Sequence, residues 1–209
     1  MKTRLMMLLL GITILPAIAL AQDYPRVEIP LGFSFINVHP NLSPITSFNV
    51  FGGNGGVVFN FTNVIGIRAD FAGYSQSGGL NDQLKKLPGY SGSVSGNVTT
   101  YLFGPQLKKH SGFIQPFGEA LFGGVHTNAF GTILTDEGRL IKSSPSNNGF
   151  AMQFGGGVDI PVSHSVQIRP VEVDYLYTHF GGYGNIPGYS SHQNNFRYSA
   201  GFNFTFGRR

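Results

Sequence analysis

Eight charged side chains recur on the polar side of alternating segments: Glu28, Arg68, Asp70, Glu119, Asp159, Glu172, Asp174 and Arg197. Six acids beside two arginines suit two kinds of chemistry, proton shuttling between paired carboxylates or a buried ion-pair network. Glu172 and Asp174 are two residues apart, which puts both on one face of a strand and favours salt bridging over acid–base catalysis. The glycine-rich run Gly52-Gly53-Asn54-Gly55-Gly56 is followed by neither a Lys-Ser/Thr pair nor a helical pattern, so it is not a phosphate loop. His39, His126, His179 and His192 fall toward one set of connections but come from different loops at no metal-ligand spacing. They read as solvated loop residues, and His110 and His164 as turn residues. The residues thus predict no catalytic, cofactor or metal site, and a lumen-type ion-pair network in their place.

Those side chains need elements to hold them, and the chain supplies strands. Period-2 alternation predicts eight, over Arg26–Val38, Phe48–Phe61, Val64–Tyr74, Asn97–Leu107, Gly112–His126, Gly149–Ile160, Ser165–His179 and the terminal stretch from Phe196. In the third, Ile65, Ile67, Ala69 and Phe71 oppose Arg68 and Asp70. In the seventh, Val171, Val173, Tyr175 and Tyr177 oppose Glu172 and Asp174. In the last, Tyr198, Phe202, Phe204 and Phe206 oppose Arg197. Arg169 breaks the rule by sharing parity with Val171, beside Pro170. Either Pro170 marks a bulge that resets the phase or Arg169 snorkels from the nearer rim.

Composition says what surrounds the strands. The 209 residues include 30 glycines, 19 Phe and 9 Tyr, with only 11% charged, well under the roughly 25% of a soluble globular protein. Residues 1–21 read as a signal peptide: Lys2 and Arg4, then an apolar run from Leu5 to Leu15, Pro16, and a small-x-small end at Ala19-Leu20-Ala21. Residues 22–209 then form one exported domain. No other run approaches the ~18 apolar residues of a membrane helix. Without cysteine there are no disulfides or thiol chemistry, and the formal charge of +4 is not concentrated in any patch, which argues against nucleic-acid binding.

The connections alternate in length. Short turns follow the second, fourth and sixth strands, whereas the stretches 75–96, 127–148 and 180–194 are long. In an up-and-down barrel this alternation sorts the long loops to one rim and the tight turns to the other, as in outer-membrane barrels. Aromatics near strand ends, among them Phe33, Phe35, Phe61, Tyr74, Phe103 and Phe180, suit interfacial girdles. With apolar side chains facing lipid and charges facing inward, the prediction is an all-β, eight-stranded antiparallel up-and-down transmembrane β-barrel with a polar lumen.

The signal ending in Ala-Leu-Ala, the eight amphipathic strands, the run from Val50 to Phe61 and the terminal Arg197–Gly207 together resemble the small outer-membrane β-barrel domains related to the OmpA transmembrane domain. The resemblance is architectural and covers residues 22–209. It implies residence in the cell outer membrane, contact with outer-membrane lipid and lipopolysaccharide, and insertion by the barrel assembly machinery. An eight-stranded lumen is just wide enough for side chains to fill it. The expectation is therefore a plugged, non-catalytic barrel with a structural or surface-interaction role, its long extracellular loops meeting an unidentified partner. Lumen glycines motivate a narrow ion or solute channel as the alternative. His126-Thr127-Asn128 is similar to the His-Ser pattern of lipid A deacylase barrels, but no serine follows, and acyl transfer would lack its nucleophile.

Overall fold

The alternation dictates strands that each have one apolar and one polar face, and such strands are stable in lipid only if the sheet closes on itself. The computed structural model describes residues 24–38, 48–77, 90–135, 140–143, 146–180 and 192–207. The signal segment 1–21, His39, Arg208-Arg209 and parts of the long connections lie outside the described residues. The strands are β1 (Val27–Val38), β2 (Phe48–Asn60), β3 (Ile65–Ser77), β4 (Tyr90–Lys108), β5 (Gln115–Thr135), β6 (Leu140–Ser143), β7 (Ser146–Pro161), β8 (Val166–Phe180) and β9 (His192–Phe206). All pairings are antiparallel. The order runs β4-β3-β2-β1-β9-β8-β7-β5, and β4 pairs with β5 to close the ring. The ring has eight strands; β6 lies outside it and, among the described residues, pairs only with β5 through Gly131–Leu134. Among the described residues no helix is long and apolar enough to cross a membrane.

β1 and β9 close the chain onto itself, from Val27 opposite Phe206 to Asn37 opposite Phe196. The short turns 61–64, 109–114 and 162–165 share one rim with Arg26 and Phe206, where Arg26 N–H donates to the Phe206 carbonyl at 2.9 Å. The long connections share the other rim. They are shorter than sequence suggested, because β3, β4 and β5 continue past the last apolar position. Ser77 still pairs with Ser95, and Tyr90 with Thr135. Backbone pairing needs no lipid-facing side chain, so Ser, Gly and Thr extend the strands where the apolar alternation has ended.

Phe33, Phe71, Phe103, Phe154 and Phe202 project outward with 42–75% of their surface exposed. A continuous apolar band on this scale is not the exterior of a water-soluble domain. Arg68, Asp70, Glu172 and Arg197 face inward and are fully buried.

Arg169 also faces inward. The register slips between Arg169 and Glu172 against β9, and between Val158 and Ile160 against β7. One extra residue on β8 leaves Pro170 and Val171 both pointing outward. Pro170 marks this bulge, where its missing N–H costs no ladder bond. The structure thus decides between the two readings of Arg169, and the snorkelling one falls.

Candidate functional site

The interior is built in layers. Nearest the short-turn rim, Glu28 of β1 accepts from His110 Nε2 at 2.7 Å, from Lys108 Nζ at 2.5 Å, from Asn60 Nδ2 at 2.8 Å and from Asn203. His110 Nδ1 lies 2.6 Å from the Asn63 carbonyl oxygen, fastening the β2–β3 turn to the rim. Lys108 also reaches Asp159 at 2.7 Å and Gln167 Oε1 at 2.9 Å.

Asp159 passes the network upward. Arg169 grips it through Nε at 2.7 Å and Nη2 at 2.9 Å, then donates through Nη1 to Glu172 at 2.7 Å. The same guanidinium lies over the inward-facing Phe117 ring, 4.1 Å from its centroid. Glu172 is shared with Arg197 at 3.0 Å and Arg68 at 3.1 Å. Arg68 spreads to Asp70 at 2.6 Å and Glu119 at 2.7 Å, and Arg197 to Asp70 at 2.6 Å and Asp174 at 2.9 Å. Gln106 and Gln153 donate to Glu119 at 3.0 and 2.9 Å. The result is one connected lattice that alternates in sign from Glu28 to Asp174.

Glycine makes room for it. Gly155 lies in register between Glu119 on β5 and Asp174 on β8, and a Cβ there would fall 2.1 Å from Asp174 Oδ1. The carboxylates of Glu119, Glu172 and Asp174 lie within 4.8 Å of one another, a spacing that could hold a metal ion. Arg68 already bridges Glu119 and Glu172 there, and Arg197 holds Asp174. The trio's charge is met by guanidinium, and the arrangement serves ion pairing.

All eight residues singled out from sequence lie in this lattice. Sequence reasoning missed Lys108 and His110 and left Arg169 between two readings; Lys108 and Arg169 add two cations to what had been six acids against two arginines. Lys108 continues the inward parity of Thr100 and Gln106, so extending the fourth strand by one residue would have found it. His110, read as a turn residue, is 3% exposed and continues the same inward parity past the strand end.

The uniformly polar lumen expected from sequence is corrected in the long-loop half. Above Ser34, which bonds Ser199 Oγ at 2.9 Å and Tyr74 Oη at 3.0 Å, a hydrocarbon cluster takes over from the ion pairs, with the buried Thr100, Thr178 and Asn195 beside it. Ile36, Val50, Leu102, Leu121, Val125, Leu176 and Phe180 pack together there with Ala72, Ala151 and Tyr74. His126 and His179, which end the predicted fifth and seventh strands, lie within β5 and β8 rather than as solvated loop residues, and His192, expected in a loop, begins β9. His126 Nδ1 lies 2.7 Å from Asn148 Oδ1. Thr127 follows it in the chain, and no nucleophile is bonded to it among the described contacts.

A closed eight-stranded sheet with an apolar exterior and a charged, side-chain-filled interior defines a small membrane-spanning β-barrel. The particular proteins that share this fold are small outer-membrane barrels. The attachment invasion locus protein of Yersinia pestis, Ail, superposes with a TM-score of 0.52 at 15% identity, over 87% of this chain and 99% of that one. Its complex with the heparin analogue sucrose octasulfate gives 0.53 at 16% identity, over 85% and 97%. Neisserial surface protein A gives 0.51 at 11% identity, over 88% and 100%. At these identities the likeness is one of fold. No protein-family profile and no curated protein sequence matches the chain.

Proposed function

We propose that the protein is an integral outer-membrane barrel with a sealed lumen and a structural or surface-interaction role, carried by the long connections on its extracellular rim. It sits in outer-membrane lipid with lipopolysaccharide in the outer leaflet, is inserted by the barrel assembly machinery, and performs no catalysis. The observation that carries this reading is the two-layer interior. Arg68, Arg197, Asp70 and Glu172 leave no exposed surface at the barrel's middle, and the hydrocarbon cluster lies above them. An ion would have to break several buried pairs and then cross an apolar layer, each step costing several kcal/mol by itself. The signal segment and the sorting of connection lengths support the placement in the membrane.

Recording in planar bilayers with the refolded barrel tests the seal. The expected result is no steady conductance; stable single-channel openings would establish the channel reading. Outer-membrane fractionation with heat-modifiable gel migration tests the placement. A protein found in the soluble fraction, or one whose migration boiling leaves unchanged, would refute it.

A further inference from the structure

Every carboxylate among the described residues lies buried in the lumen lattice, so the described outward face carries no acid. The cations among the outward side chains described are Arg26 and Lys109, both at the short-turn rim. Arg26 is the more closely held of the two. Its guanidinium carbon lies 5.4 Å from the centroid of the outward-facing Phe59 ring, a cation–π contact on the lipid side of the wall. Its Nε is buried without an acceptor, and no carboxylate pairs with it among the described residues. A guanidinium has five N–H donors and no acceptor of its own, and a ring face satisfies none of them by a conventional hydrogen bond. Aromatic surface flanks it on both sides. Phe59 meets Phe61 edge to face at 5.2 Å between centroids, and Phe61 is pinned through its carbonyl by the Tyr24 hydroxyl at 2.9 Å. On the β9 side Phe206, whose carbonyl accepts from Arg26 N–H, is 50% exposed. Val27, the next residue, is the register partner of both Phe59 and Phe206.

We propose that Arg26 and the rings of Phe59, Phe61 and Phe206 form a seat for one anionic phospholipid of the inner leaflet. The headgroup phosphate accepts from the guanidinium, and an acyl chain lies along the rings. The inference rests on the membrane placement proposed above, which puts the short-turn rim at the periplasmic interface. A planar guanidinium fork matches the paired oxygens of a phosphate, and an arginine on a lipid face turns its head to the interface where phosphates lie. With no acid on the described outward face, nothing there repels a negative headgroup. Lys109 stands across the 61–64 turn, where Asn60 N–H donates to the Arg26 carbonyl on one flank and Lys108 N–H to the Val64 carbonyl on the other. It is exposed and has no ring contact among the described residues, so it adds to the local positive field without forming a seat.

The test uses tag-free, refolded full-length protein in dodecyl maltoside, a detergent without phosphate, titrated with phosphatidylglycerol and followed by native mass spectrometry. Wild type retains one phosphatidylglycerol in preference to diacylglycerol with the same chains. Arg26→Gln weakens that binding by roughly tenfold or more, and Arg26→Lys, which keeps the charge and loses the fork, falls between the two. Lys109→Gln changes it by less than about threefold. Heat-modifiable migration of each variant shows that the barrel is folded, and flotation of wild type with liposomes checks the membrane placement separately. Equal phosphatidylglycerol affinity in wild type and Arg26→Gln would overturn the seat. So would an equal loss with Lys109→Gln, which marks diffuse attraction, or displacement of the lipid by equimolar inorganic phosphate, which marks a free-anion site.

Discussion

At the scale of single residues, two adjacent lysines separate surface charge from lattice charge. Lys108 is 1% exposed and bonds Glu28 and Asp159, whereas Lys109 faces outward at the turn. Lys108→Met takes the lysine counter-charge from buried Glu28 and leaves Asp159 to Arg169 alone, and we expect a loss of about 3–5 kcal/mol in urea unfolding of the refolded barrel. Lys109→Ala stays within about 0.5 kcal/mol. A similar small change for both would mean that the lattice is not holding the short-turn half together. The glycines divide in the same way. Gly155→Ala drives a methyl group to 2.4 Å from the Val173 carbonyl oxygen as well as into Asp174, while a Cβ at Gly73 meets nothing within 4 Å. We expect the first substitution to cost about 1–3 kcal/mol and the second to leave the unfolding midpoint in place. What sequence made legible at this scale was the inward charge on regular strands. Arg68, Asp70 and Arg197 sit on unbroken alternation, so parity alone placed them. Arg169 lay across a bulge and Lys108 one residue past the last apolar position, and parity counted from a wrong end or across a slip gives the wrong face.

At the scale of elements, β8 shows how one inserted residue sets the content of the lumen. Pro170 takes up the slip between the Arg169–Gly201 and Glu172–Ser199 pairs. Deleting Pro170 removes the extra residue and leaves Arg169 and Glu172 two positions apart, so regular alternation still points both inward, against Gly201 and Ser199. The expected outcome is a barrel that keeps heat-modifiable migration with an unbulged β8. Pro170→Ala keeps the residue count and the bulge, and migrates as wild type. An extra alanine inserted after Pro170 puts Arg169 and Glu172 on opposite faces unless the bulge widens, and is expected to abolish the shift; if the insertion folded normally, residue count would not be what sets the phase. Proline beside a misplaced arginine was the one signal of this feature in the chain, and it left two readings open. The hydrocarbon half of the interior gave no such signal. Where Ile36 lies next to Phe35, and Leu121 next to Phe122, both faces are apolar, and alternation loses its contrast although the strand continues.

At the scale of the whole molecule, the two interior layers back one another up. In the sealed barrel proposed above, the lattice from Glu28 to Asp174 stops an ion by pairing, and the cluster around Leu121 and Val125 by excluding water. Arg197→Ser or Leu121→Ser alone is therefore expected to leave bilayers silent, while the two together admit measurable current. Conduction by either single variant would show that one layer bears the whole seal. Neither layer extends to the hairpin of β4 and β5, which runs on after its neighbours have stopped. Among the described residues its last five pairs, from Val94–Gly131 to Tyr90–Thr135, have no β3 partner, and only β6 joins them. At about 3.3 Å per residue this three-stranded flap stands roughly 15 Å clear of the ring. Among the described residues the flap is the part of the barrel that reaches furthest past the ring, so it works as a lever: a sideways push on its tip is delivered to β4 and β5 alone.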